Sequence, residues 1–171
     1  IPCIPPGFEL RDYQKDAIEK WKNNDYRGIF DMATGTGKTY TGLGAVTELF
    51  EDKKRLAIII VCPYQHLVEQ WVEDIELFNM LPTIGYSSSK QKNWKKRLED
   101  DVLDFSIGVI DCFCFVTTNA TYSSKFVSEQ MAYLGKDTLL LVDEAHNFGS
   151  PNLRNKLYPN IEYRLALSAT L

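Results

Sequence analysis

Residues 56–62, Leu-Ala-Ile-Ile-Ile-Val-Cys, are apolar without a break, so a strand built from them has no face to give to water. Such a strand belongs in a sheet covered on both sides, which means a mostly parallel sheet flanked by helices. A second run of the same kind, Thr-Leu-Leu-Leu-Val, lies at 138–142. Shorter runs at 28–32, 82–86, 105–110 and 163–167 are expected to be further strands. Between them the apolar residues recur at helical spacing. Tyr13, Ala17, Ile18 and Trp21 mark a helix over 11–22, and Leu67, Val68, Trp71, Val72 and Ile75 one over 65–78. Residues 39–50, the basic stretch 90–98 and 123–134 are expected to be helical too. Strand–helix alternation of this sort predicts an α/β domain with helices on both faces of the sheet.

A chain of 171 residues suits one domain, and at that length a core forms without disulfide or metal. The cysteines Cys3, Cys62, Cys112 and Cys114 have no zinc-type spacing. They read as reduced thiols of a cytoplasmic protein. Neither a signal peptide nor a span of ~20 apolar residues is present. Residues 1–9, with prolines at 2, 5 and 6, are expected to be a linker from an upstream region, with the domain over 10–171. The net charge of −4 does not give the broad basic face common in nucleic-acid binders.

In sheets of this class, ligands bind beyond the carboxyl ends of the strands, and the chemical motifs follow the strands here. After the 28–32 run comes Met32-Ala33-Thr34-Gly35-Thr36-Gly37-Lys38-Thr39, which opens a helix. Gly35 and Gly37 let backbone N–H groups approach phosphate oxygens, and the helix start adds its positive dipole end. Lys38 supplies charge to the β- and γ-phosphates, and the Thr39 hydroxyl is a ligand for Mg2+. The full phosphate-loop pattern has Gly where Met32 stands.

After the 138–142 run comes Asp143-Glu144-Ala145-His146. Adjacent carboxylates repel, and the pair makes sense beside a divalent cation. Asp143 would hold Mg2+, and Glu144 would polarise the water attacking the γ-phosphate. Alone the pair also fits an exposed acidic turn. Together with the loop upstream it predicts an ATPase that uses ATP and Mg2+.

With both boxes in place, the chain resembles the first RecA-like domain of superfamily 2 helicases, the kin of the Asp-Glu-Ala-Asp and Asp-Glu-Ala-His helicases. Leu10-Arg11-Asp12-Tyr13-Gln14 is similar to that family's adenine-recognition element, although Asp12 replaces the commoner Pro. The resemblance implies that Gln14, with Arg11 beside it, reads adenine; on their own both also fit the polar face of an amphipathic helix. Val61-Cys62-Pro63-Tyr64-Gln65 resembles the segment that touches the nucleic-acid backbone, with Tyr64 where relatives carry Thr. Ser168-Ala169-Thr170 resembles the coupling motif, which implies a link through Ser168 and Thr170 to His146. Thr117 is the candidate for a further nucleic-acid contact.

The adenine element combined with the Asp-Glu-Ala-His box looks most like restriction-motor and related duplex-DNA translocases. The resemblance implies movement on nucleic acid, DNA rather than RNA, and a second RecA-like domain beyond residue 171 that completes the site. A P-loop ATPase switch acting on protein partners is the alternative.

Overall fold

The computed structural model describes residues 1–33, 37–144 and 160–170, with the side chains of Ala33, Ala169 and Thr170 left aside. In chain order the elements are α1 (Asp12–Asn23), β1 (Arg27–Ala33), α2 (Lys38–Lys53), β2 (Leu56–Cys62), α3 (Gln65–Leu77), β3 (Thr83–Gly85) and α4 (Trp94–Ser106). They continue with β4 (Cys112–Thr118), α5 (Asn119–Tyr122), α6 (Lys125–Met131), β5 (Thr138–Val142) and β6 (Tyr163–Thr170). The described strands form one sheet in the order β1-β6-β5-β2-β4-β3, and every pairing is parallel.

The unbroken apolar run explains its own place. All seven residues of β2 are buried, and the pleat sends alternate side chains to opposite faces. Ile58 and Ile60 enter one core with Leu43, Trp71 and Ile75 from α2 and α3. Ala57, Ile59 and Val61 enter a second core with Leu98, Val102 and Phe105 from α4. Strand β5 divides the same way, Leu139 and Leu141 to the first face, Leu140 and Val142 to the second.

Three expectations shift. The strand foreseen over 105–110 is the end of α4 and the turn after it. Trp94, Leu98, Val102 and Phe105 form the buried stripe of that helix. Ile107 and Val109 are 63% and 66% exposed, which no central strand residue is. The strand lies instead at Cys112–Thr118, whose β-branched and aromatic residues are buried between β2 and β3. The basic helix foreseen over 90–98 starts only at Trp94. The helix foreseen over 123–134 is shortened to α6, whose start is set where the Ser124 hydroxyl caps it by accepting from the Val127 N–H; the one-turn α5 lies before the foreseen range.

Residues 1–9 lie along the domain rather than leading away from it. The Cys3 N–H donates to the Phe78 carbonyl at 2.9 Å. The Phe8 ring meets Tyr40 edge-on, with centroids 5.0 Å apart. Among the described residues, no helix is long and apolar enough to cross a membrane.

Candidate active site at the carboxyl edge of the sheet

The phosphate-loop lysine and the acidic box approach each other across β6, which separates β1 from β5. Lys38 opens α2, whose N-cap is Gly37 with φ +76°. That left-handed conformation favours glycine, and a Cβ there would stand 3.1 Å from Gln14 Nε2. Asp143 follows β5 directly and is anchored by its N–H, which donates to the Val61 carbonyl at 2.9 Å. The chain then turns sharply, with Glu144 at φ +51°, a conformation that costs a non-glycine residue ~1 kcal/mol or more and clusters at working sites.

Lys38 Nζ lies 3.0 Å from Asp143 Oδ1 and is bonded to Glu144 as well. Burial works against the ammonium charge, but hydrogen bonds to Glu144 and Asp143 outweigh it and hold the Lys38 pKa above its ordinary value. At neutral pH the site therefore contains a cation between two acids. The separation of loop and box along the sequence is closed in space.

Asp143 is 3% exposed, and both of its oxygens are engaged. Oδ1 accepts from the Glu144 N–H at 2.9 Å, beside Lys38. Oδ2 accepts from the Trp71 indole N–H at 2.8 Å. The indole bond was not foreseen. Helical periodicity places Trp71 on the buried face of α3, but nothing in the sequence distinguishes an apolar anchor from a donor to Asp143. Cys62, fully buried at the end of β2, has its thiol pushed well up, first by burial and then by the Asp143 charge; no thiolate nucleophile is available there.

Gln14 is buried, and its amide bridges α1 to the start of α2. Its Oε1 accepts from the Arg11 N–H at 2.8 Å, and its Nε2 donates to the Thr41 hydroxyl at 2.8 Å and reaches the Gly37 carbonyl at 3.4 Å. Arg11 is exposed at the start of α1. Thr39 sits half-buried in the first turn of α2. Pro63, Tyr64 and Gln65 lie on the same sheet edge, at the start of α3. The Tyr64 ring is exposed and stacked on His66, with centroids 5.6 Å apart, and Gln65 accepts from the Ser88 hydroxyl.

Thr117 departs from expectation. It belongs to β4, is fully buried, and donates its hydroxyl to the Gly85 carbonyl, so it holds β3 to β4 and presents nothing to a nucleic acid. Ser168 is half-buried within β6, level with Asp31 of β1. Thr34, Gly35, Thr36, Ala145 and His146 lie outside the described residues, as do the side chains of Ala33 and Thr170.

The donor set fits a hard divalent cation. Two carboxylates and the Thr39 hydroxyl offer oxygen ligands of the kind Mg2+ takes alongside phosphate oxygens. The position of the Lys38 ammonium marks where positive charge is held between the acids.

The family described as "Type III restriction enzyme, res subunit" matches residues 7–171. The chain belongs to that family. The DNA 3'-5' translocase XPB2 of Sulfurisphaera tokodaii is 31% identical over 177 residues, covering 99% of this chain and 33% of that protein. The chain thus spans about a third of that relative's length. Among solved structures, the SWI2/SNF2 ATPase core of Sulfolobus solfataricus in complex with dsDNA superposes with a TM-score of 0.73 at 19% identity. It matches 100% of this chain and 34% of that one. The Type ISP restriction-modification enzyme LlaGI, a nuclease-deletion mutant with a DNA substrate mimic, gives 0.73 at 23% identity, covering 95% of this chain and 18% of that one. The fold is the RecA-like fold of these motors, and the first RecA-like domain of superfamily 2 expected from the sequence is the domain found.

Proposed function

We propose that this chain is the ATP-binding half of a superfamily 2 motor, a helicase or translocase that couples ATP hydrolysis to movement on DNA. The convergence of Lys38 with Asp143 and Glu144 carries this reading. In it, Lys38 leaves the two carboxylates when nucleotide enters and binds the β- and γ-phosphates. The loop from Ala33 to Gly37 wraps those phosphates with its N–H groups, and the start of α2 adds its dipole. Thr39 and Asp143 would hold Mg2+, which when bound neutralises charge on the phosphates. Once freed from Lys38, Glu144 orients the attacking water and accepts its proton. Gln14, beside Gly37, and Arg11 are the residues that would read the adenine. Ser168 and Thr170, with His146, link the site to domain movement.

DNA is the proposed track because the XPB2 relative is named a DNA translocase. The start of α3, with Pro63, Tyr64 and Gln65, is the proposed contact. A second RecA-like domain of the same parent supplies an arginine that stabilises the charge on the transferring phosphate. Such an arginine is worth about 10³–10⁵ in rate in phosphoryl-transfer enzymes. The isolated chain is therefore expected to bind nucleotide weakly and to turn it over slowly or not at all.

The test is ATP hydrolysis by the full-length parent with duplex DNA, with RNA and with neither. Stimulation by duplex DNA is expected. Glu144→Gln should retain ATP binding while turnover falls by about 10²-fold or more. Equal turnover with and without polynucleotide would replace the motor by a switch acting on proteins, and unchanged turnover in Glu144→Gln would remove Glu144 from its role.

A further inference from the structure

The Trp71–Asp143 hydrogen bond has no part in the chemistry set out above, yet both partners are nearly closed to solvent, at 2% and 3% exposure. We propose that Trp71 is a positioning residue: its indole N–H fixes the rotation of the Asp143 carboxylate, so that Oδ1 faces Lys38 and the cation that takes the lysine's place. The inference rests on the reading of the site as a Mg2+–nucleotide centre.

The physical case begins with the carboxylate. Rotation about the terminal bond of aspartate is broad and roughly two-fold, so an unheld carboxylate turns easily. At Asp143 the two oxygens are treated differently. Oδ1 meets the Lys38 ammonium and the Glu144 N–H. Oδ2 accepts from the indole N–H. Lys38 must depart when phosphate arrives, which removes one of the holds on Oδ1. The indole bond stays, because Trp71 is locked in the first core between α3 and the sheet.

The indole also suits the task better than other donors. It donates and never accepts, and it carries no charge to compete with a cation. A lysine or arginine in its place would neutralise the carboxylate that the metal needs. Neighbours that orient a metal-binding carboxylate commonly change metal affinity 10–100-fold when removed. If Trp71 were an apolar anchor alone, its buried N–H would still need an acceptor, but the metal would be indifferent to it.

The experiment uses the whole chain labelled with 15N, whose three tryptophans give three indole N–H signals, that of Trp71 being assigned by its loss in Trp71→Phe. Mg2+ is titrated into the chain saturated with AMP-PNP, a slowly hydrolysed ATP analogue. The Trp71 signal is expected to move with Mg2+ while those of Trp21 and Trp94 stay. In Trp71→Phe, the Mg2+ concentration at half-saturation should rise about tenfold, with AMP-PNP affinity in EDTA unchanged. A Trp71 signal that stays still to saturation overturns the proposal, as does a Trp71→Phe midpoint equal to that of the unaltered chain. Should the variant not fold, the indole signal of the unaltered chain decides alone. An unaltered chain that binds no AMP-PNP at all overturns the Mg2+–nucleotide reading, and this inference with it.

Discussion

Strand β5 has a charged cluster at each end, and in both a cation faces two carboxylates. At the amino end, Arg55 lies 3.3 Å from Asp111 and 3.4 Å from Asp137. Its guanidinium also donates to the carbonyls of Ile110 and Phe105 and lies over the Phe105 ring, 3.8 Å from its centroid. At the carboxyl end, Lys38 faces Asp143 and Glu144. The charges are alike; the chemistry of the cations is not. Arginine has a planar fork whose donors are matched one by one, and it stacks on a ring. Lysine is a compact charge on a flexible stem. The first cluster ties α4 and its following turn to the start of β2 and β5. The second, in the function proposed above, holds a charge that the anionic nucleotide takes away. One is a clasp and the other a placeholder.

Exchange of the two cations for alanine should break the comparison if it is wrong. Lys38→Ala is expected to weaken ATP binding by two orders of magnitude or more, about 3 kcal/mol, while its circular dichroism stays that of the unaltered chain; calorimetric titration with ATP measures this. Retained affinity would mean that the lysine is a second clasp. Arg55→Ala should do the reverse. It removes a donor from two carbonyls, of which that of Phe105 keeps the Gly108 N–H, and removes a cation–π contact, so a loss of about 2 kcal/mol in urea unfolding is expected. That corresponds to a fall of roughly 4–8 °C in Tm for a domain of this size. Its ATP affinity should match that of the unaltered chain.

The smallest effect is in pH. The folded-state pKa of Lys38 is raised above its ordinary 10.5. A group raised in this way contributes stability in full below the ordinary value and loses it as pH climbs through the raised one. The unfolding free-energy gap between the unaltered chain and Lys38→Ala, under about 1 kcal/mol for a partly exposed pair, should therefore persist to pH 10.5 and close above it. The gap for Arg55→Ala should remain, since its carbonyl and ring contacts are independent of Lys38. Parallel urea melts from pH 8 to 11.5 separate the two.

Much of this was legible beforehand, for physical reasons that differ from place to place. The 56–62 run admits no half-exposed strand, so its position was settled by hydrophobicity alone. The glycine loop and the acid pair carry chemistry that few other contexts tolerate, and their meeting followed from both standing after strands. The region from 90 to 118 was harder. Ile107 and Val109 look like strand residues and are solvent-exposed, while the helical stripe ending at Phe105 is plain only once Trp94 is seen to start it. Cys112 and Cys114 hid the true strand because cysteine says little about β-structure; burial there raises the Cys112 thiol to about 11, the mark of an inert residue. Trp71 and Arg55 could be placed on an element but not given a partner. A hydrogen bond between residues 71 and 143 depends on how α3 lies on the sheet, and no local pattern encodes that.

Strand β6, set between the strand of the loop and the strand of the acids, has a mechanical consequence. The lateral gap between β1 and β5 is two backbone ladder spacings, roughly 10 Å, and it is held by main-chain hydrogen bonds along both flanks. Side-chain replacement within the cleft leaves that width untouched. Changing the width would mean breaking one of the two ladders, so the sheet itself is the gauge that spaces the lysine from the acids.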